Sequence, residues 1–322
     1  MQAVVVDRPV SLGSVKLSEI ATPSVGDDRV LVRIVATSVN PVDLFPTSWA
    51  GYLMGGRKPS VLGTDYAGVV EAVGRDVTEF RVGDEVFGGA RGAFAEYISV
   101  RAGGAVVPKP ANVSFESAGT VAVAATTALQ ALRDHGGLQA GQKVLINGAS
   151  GGVGTFAVQI AVALGGVVTA VCSPRNVEMV RGLGASEVID YTRTDVTRSD
   201  SRYDLVLDIA GTHSLGAFGR VLARDGRFVG VGVSGMMHRP GGMARVLGHL
   251  ATTRLTAMFD SHKVVPLFIA DLTKESMSVL AALLAGGRVT PQIDRRYSIG
   301  EIGAALQYLN EGHARAKIAG SV

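Results

Sequence analysis

The sequence predicts an α/β protein, in which a β-rich unit is joined to a doubly wound parallel sheet of the Rossmann type. Three observations carry this. From Lys143 onward, apolar strands, glycine-containing turns and helices alternate, the pattern of a parallel sheet with crossover helices. Before residue 110, short apolar runs are punctuated by glycine and proline, and helical periodicity is largely missing. Between an apolar strand and a small-residue helix, the segment NGASGGVG occupies positions 147–154.

The elements follow in order. Residues 30–35 and 66–73 read as buried strands, and 83–87 as a turn entering a strand. Ser114 heads a segment resembling a capping box, and 118–132 is a small-residue helical stretch. Lys143–Asn147 is an apolar strand, 155–164 an amphipathic helix, Val167–Cys172 the next strand and 177–183 the next helix. Further strands are expected at 187–191, 203–209 and 227–233, with an edge-strand candidate at 264–269. A helix at 276–284, a short strand near Gln292, a helix at 299–309 and a tail strand complete the chain. The partition is a β-rich domain (1–118), an inserted α/β domain (119–269) and a return to the first (270–322).

Composition bounds the function classes. No apolar run reaches the roughly 18 to 20 residues of a membrane span. The opening MQAVVVDRP enters a strand-like run without a signal-peptide pattern, so a cytoplasmic address is expected. The net charge of +3 is spread along the chain, and no block of Lys and Arg marks a nucleic-acid footprint. Cys172 is the only cysteine, which excludes an intramolecular disulfide and a cysteine-built structural zinc site.

A glycine-rich turn between strand and helix lets the backbone approach a pyrophosphate, and the helix offers it unpaired N–H groups. Ser150, Gly151, Gly152 and Val153 are the candidate contacts. An NAD-selective site places a carboxylate at the end of the next strand. Here Cys172 is followed by Ser173-Pro174-Arg175-Asn176, and a guanidinium without a carboxylate favours a 2′-phosphate, hence NADPH.

With these residues in hand, the chain resembles the zinc-free medium-chain dehydrogenase/reductase superfamily in its quinone oxidoreductase branch. The matching segments are SVNPVD at 38–43, GTDYAG at 63–68, GDEV at 83–86, residues 124–132, the 147–154 loop, Ile189-Asp190-Tyr191 and Gly312-His313-Ala314-Arg315. The resemblance implies a GroES-like catalytic domain, a Rossmann domain and an active site in the cleft between them. It implies that Ser173, Arg175 and Asn176 contact the 2′-phosphate with Tyr191 nearby. Thr127, Ala210, Gly211, Val231 and Gly232 would line the nicotinamide, and Lys317 would sit near the tail strand at the cleft. Zinc-dependent members bind their catalytic metal through a cysteine and a Gly-His-Glu motif, and the corresponding places here carry Asn40 and Gly63-Thr64-Asp65. None of the six histidines forms a pair with ligand spacing. Ala316 replaces a glycine common in relatives, a change expected to be tolerated.

The expected chemistry is hydride transfer to a quinone or an α,β-unsaturated carbonyl. Asn40 is the candidate donor to the substrate oxygen, Tyr52 the candidate proton donor and Asp43 the organiser of the turn. The alternatives are a zinc-free alcohol dehydrogenase working oxidatively and a non-enzymatic NADPH-binding protein. A homodimer is expected, because the apolar edge at 264–269 would otherwise invite aggregation.

Overall fold

The computed structural model describes residues 1–49, 53, 59–232, 248, 251–256, 264–265, 270–312 and 314–322. Tyr52, Val233, His313 and the 266–269 part of the edge-strand candidate lie outside the described residues. The chain divides into two compact units, Met1–Thr126 with Asp271–Val322, and Thr127–Ala270.

The first strands in chain order are β1 (Gln2–Val6), β2 (Leu17–Glu19), β3 (Arg29–Val39) and β4 (Ser60–Val61). They are followed by β5 (Asp65–Val73), β6 (Glu85–Gly89), β7 (Tyr97–Arg101) and β8 (Val106–Pro108). Helices α1 (Phe115–Ala118) and α2 (Ala122–Leu129) lead to β9 (Lys143–Asn147), α3 (Gly152–Ala163), β10 (Val167–Cys172) and α4 (Val177–Gly182). Next come β11 (Glu187–Asp190), β12 (Tyr203–Asp208), α5 (Leu215–Gly219), β13 (Leu222–Gly230) and β14 (Val264–Val265). The chain closes with α6 (Lys274–Ala285), β15 (Ile293–Ser298), α7 (Ile302–Asn310) and β16 (Lys317–Ser321).

The first unit is built on β3, which pairs with β5, β7 and β16 in a sheet ordered β15-β16-β3-β5-β6-β8. Val30, Val32, Ile34, Tyr66, Val70 and Val86 form its core. Gly68 lets β5 cross β3 closely, since a Cβ there would lie 2.1 Å from the Arg33 carbonyl oxygen. A second sheet, β2-β1-β4, packs with Leu306, Ile302 and Ile318 in a separate cluster.

The second unit is a parallel sheet ordered β11-β10-β9-β12-β13-β14. Strands β9 and β10 are buried except at their first residues, which is why they read as continuous apolar runs. Strand order reverses between β9 and β12, and the carboxyl ends at such a switch point are where open α/β sheets bind ligands.

Two helices differ from the sequence reading, and one position carries strain. The helical stretch expected over 118–132 is interrupted after Ala118, where Gly119 ends α1 against the Ala36 carbonyl that a Cβ would meet at 2.9 Å, and it resumes as α2 and a π-helical turn at Gln130–His135. Ser114 caps α1 by accepting from the Ser117 N–H at 3.1 Å. The helix expected to be amphipathic is instead buried from 154 to 161, packed against the sheet rather than exposing a polar face. Ala316 sits in the left-handed region at φ 60°, where a Cβ costs roughly 1 kcal/mol, so its tolerance has a price in backbone strain just before Lys317. Among the described residues no helix is long and apolar enough to cross a membrane.

Candidate active site

Strand register assembles a polar cluster in the first unit. In the β3–β5 pair Ser38 lies opposite Asp65, and in the β16–β3 pair Ile318 lies opposite Val39. Asn40 just after β3, Asp65 at the start of β5 and Lys317 at the start of β16 are thereby brought together. All three are buried, with at most 3% exposure. Lys317 Nζ donates to Asn40 Oδ1 at 2.5 Å and to Asp65 Oδ2 at 3.2 Å. The same carboxylate oxygen accepts from Asn40 Nδ2 at 2.9 Å and from Ser38 Oγ at 2.6 Å, while Oδ1 accepts from the Val123 N–H at 2.8 Å. A buried ammonium and a buried carboxylate are tolerable here because each has its opposite charge and further hydrogen bonds.

Asp43 belongs to a 3-10 turn, Pro41–Thr47. Its Oδ2 accepts from the Asn40 N–H at 2.8 Å and its Oδ1 from Thr64 Oγ1 at 2.9 Å. Burial, and then the neighbouring Asp65 charge, push the Asp43 carboxyl up to about 7 against the pull of Thr64, the Asn40 amide and Lys317. Asp43 and Thr64 stand on the wall of a cavity of about 990 Å³ within this unit, together with Val42, Phe45, Leu62 and Arg91.

A stability prediction follows from that raised value. Between pH 4 and 7 folded Asp43 keeps a proton that the unfolded chain has released, so the contribution of this group to stability declines as pH rises through that window. Asp43→Asn keeps an acceptor for the Asn40 N–H and cannot ionise. Thermal melts should show the variant more stable than wild type at pH 8, with the gain vanishing near pH 4. A variant that is less stable at pH 8 would contradict the burial argument.

In the second unit, β9 ends at Asn147 and Gly148 turns the chain at φ 91°. Gly151 is the N-cap of α3, and no side chain caps this helix. Ser150, Gly151, Gly152 and Val153 are half-buried along the loop. Gly154 has no room for a side chain, because its Cβ would lie 2.2 Å from the Gly148 carbonyl oxygen.

Asp208 ties the sheet ends together. Its Oδ1 accepts from Asn147 Nδ2 at 2.8 Å and from the Gly211 N–H at 2.9 Å, and its carbonyl accepts from the Val231 N–H at 2.8 Å. Asn147 also donates to Thr212 Oγ1 at 3.0 Å, and its carbonyl accepts from the Ala210 N–H at 3.2 Å. Ala210, Gly211, Val231 and Gly232 therefore gather at the carboxyl ends of β12 and β13. Burial raises the Asp208 carboxyl to about 6, opposed by its bonds from Asn147 and Gly211.

At the end of β10, Ser173, Arg175 and Asn176 form a single turn in which Asn176 Nδ2 donates to Ser173 Oγ at 3.0 Å. Arg175 and Tyr191 are exposed, and Tyr191 follows β11, whose last residue Asp190 pairs with Cys172. Thr127 is half-buried on α2. Asn176 Oδ1 and Asp208 Oδ2 are buried without a partner. Orphaned acceptors beside a glycine cradle and an uncapped helix fit a dinucleotide, whose hydroxyl and amide groups can donate to them.

Comparison with known proteins decides the family. Residues 183–319 match the zinc-binding dehydrogenase family model and 26–111 the alcohol dehydrogenase GroES-like domain model. A chloroplastic quinone oxidoreductase of Triphysaria versicolor is 32% identical over 316 residues, covering 93% of this chain and 92% of that protein. The chain belongs to the quinone oxidoreductase branch of the medium-chain dehydrogenase/reductase superfamily. A mitochondrial NAD(P)H oxidoreductase of Mus musculus is 33% identical, covering 90% of this chain and 81% of the relative. The solved quinone oxidoreductase from Coxiella burnetii superposes with a TM-score of 0.84 at 27% identity, covering 100% and 99% of the two chains. This branch member is accordingly an oxidoreductase with a GroES-like domain and a Rossmann domain that serves a nicotinamide cofactor.

Within the oxidoreductase, Asn40, Asp43 and Lys317 fall in one network in the first unit, and Tyr52 lies outside the described residues. Lys317, grouped with the cofactor contacts by resemblance, is engaged by Asn40 and Asp65. The sequence alone gives no role to Ser38, Asp208 or Thr212, and it marks Thr64 and Asp65 as part of a family segment that departs from the zinc motif without assigning them a task. Among the described residues no group of three or more His, Cys, Asp or Glu side chains is placed to hold a metal.

Proposed function

We propose that this chain is a zinc-independent, NADPH-dependent reductase of quinones or α,β-unsaturated carbonyls. The observation that carries the reading is the buried Lys317 ammonium on Asn40 and Asp65. Two of the positions that hold metal in zinc-dependent members are here committed to a lysine. An ammonium in hydrogen-bonding contact with both side chains leaves no room for a metal ion on the same oxygens.

NADPH, when bound, supplies the hydride. Ser173, Arg175 and Asn176 hold its 2′-phosphate, and the 150–153 loop with the N-terminus of α3 holds the pyrophosphate. Thr127, Ala210, Gly211, Val231 and Gly232 border the nicotinamide. Asn40 fixes the Lys317 ammonium through Oδ1 while its amide nitrogen donates to Asp65 at 2.9 Å and to the Ser38 carbonyl at 3.4 Å, so its work is to position the cluster.

The test is NADPH oxidation with a panel of quinones and enones, before and after dialysis against a strong chelator. Turnover should survive dialysis unchanged. NADPH should be preferred over NADH by about tenfold or more through charge-assisted bonds at Arg175, with screening at an exposed site already allowed for. Arg175→Ala should erase that preference by weakening NADPH alone. Stoichiometric zinc lost together with activity, or equal affinity for the two cofactors in the wild type, would sink the reading.

A further inference from the structure

Hydride reduction of a quinone leaves a hydroquinone oxygen that takes one proton, and reduction of an enone leaves an enolate oxygen whose protonation gives the enol that then tautomerises to the saturated carbonyl. We propose that the Thr64 hydroxyl, backed by the Asp43 carboxyl, delivers this proton, a role that rests on the reductase reading above.

The geometry allows one arrangement of hydrogens for each state of Asp43. Thr64 has a single hydroxyl hydrogen, and Asp43 Oδ1 lies 2.9 Å from Thr64 Oγ1. When Asp43 is ionised, that hydrogen is held by the carboxylate and nothing is offered to the cavity. When Asp43 is protonated, its proton sits on Oδ1, because Oδ2 already accepts from the Asn40 N–H. Oδ1 then donates to Thr64 Oγ1, and the threonine hydrogen is released toward the cavity that both residues line. Asp43 is buried and Thr64 half-buried, so the threonine is the member of the pair that can touch a molecule in the cavity.

The step balances. An O–H bond forms on the substrate oxygen as the Thr64 O–H bond breaks. Thr64 regains its hydrogen from Asp43, which is left as carboxylate and is reprotonated from water. The charged neighbours of Asp43 are Asp65 on β5, which disfavours the carboxylate, and Lys317 on β16, which favours it, while Arg29 and Arg91 line the same cavity. The carboxyl, pushed up to about 7 chiefly by burial, is poised for proton transfer near neutral pH.

The experiment is the pH dependence of kcat/KM for a quinone or enone at saturating NADPH, with the solvent deuterium isotope effect, in wild type and four variants. Wild type should lose about tenfold per pH unit above roughly pH 7, as the donating form disappears. Thr64→Val should lose about 100-fold and its isotope effect, while Thr64→Ser should recover most of both. Asp43→Asn should be slow and without the alkaline limb. A carbon-13 difference spectrum between wild type and Asp43→Asn should place the Asp43 titration near 7, with or without substrate. Full rate in Thr64→Val, an alkaline limb that persists in Asp43→Asn, or an isotope effect abolished by Tyr52→Phe instead would overturn this role alone. A wild type that reduces no quinone or enone overturns the reductase reading, and the role with it.

Discussion

Replacing Lys317 by methionine is expected to destabilise the protein by about 3–5 kcal/mol, the usual cost of removing one partner of a buried ion pair. Methionine fills a similar volume, so the loss is electrostatic rather than a cavity effect. It leaves Asp65, with no exposure at all, holding three neutral donors in place of a cation. Asn40 Oδ1 loses its donor as well. Urea unfolding at pH 7 measures the loss, and a deficit below about 1 kcal/mol would mean that Lys317 acts by packing alone. NADPH affinity in the variant separates a further possibility, since a direct cofactor contact through Lys317 predicts a loss there too.

That cluster also shows where sequence reasoning reaches its limit. Asp65 and Lys317 lie 252 positions apart, and their contact depends on the register of β3 against both β5 and β16. A one-residue slip of either pairing would point the side chains to the opposite face, and no local pattern specifies that choice. The parallel half was far more legible. Val167–Cys172 is the strand expected, because strands covered on both faces must be apolar throughout and glycine marks where they stop. The same full burial misled the reading of helices. When every side of α3 is covered, apolar periodicity no longer reports which face meets the core, and the break at Gly119 is set by contact with Ala36 on another element. The glycine-rich turn after β9 was legible because Gly148, at φ 91°, and Gly154, with no room for a Cβ, are required locally. Asp208 was not, because its partner Asn147, 61 positions away, meets it only once β9 and β12 are neighbours.

The glycines of that loop should separate folding from cofactor binding. At Gly154 an added Cβ would lie 2.2 Å from the Gly148 carbonyl oxygen and 2.7 Å from two backbone atoms of Ala149. Backbone cannot yield as a side-chain tip can, so Gly154→Ala should destabilise the apo protein by roughly 1–3 kcal/mol as an overpacked site does. It should also displace the start of α3 and weaken NADPH. At Gly151 the nearest protein atom is 3.7 Å from an added Cβ, and its φ of −82° suits any residue. Gly151→Ala should therefore leave the apo melting temperature unchanged. Its methyl would instead stand where a pyrophosphate must approach the uncapped N-terminus of α3, and a lost charge-assisted contact of roughly 1.5–3 kcal/mol corresponds to about 10- to 100-fold in affinity. Melting of the apo proteins and fluorescence titration with NADPH read the two effects apart. If Gly151→Ala binds NADPH as tightly as wild type, the pyrophosphate does not lie over this loop.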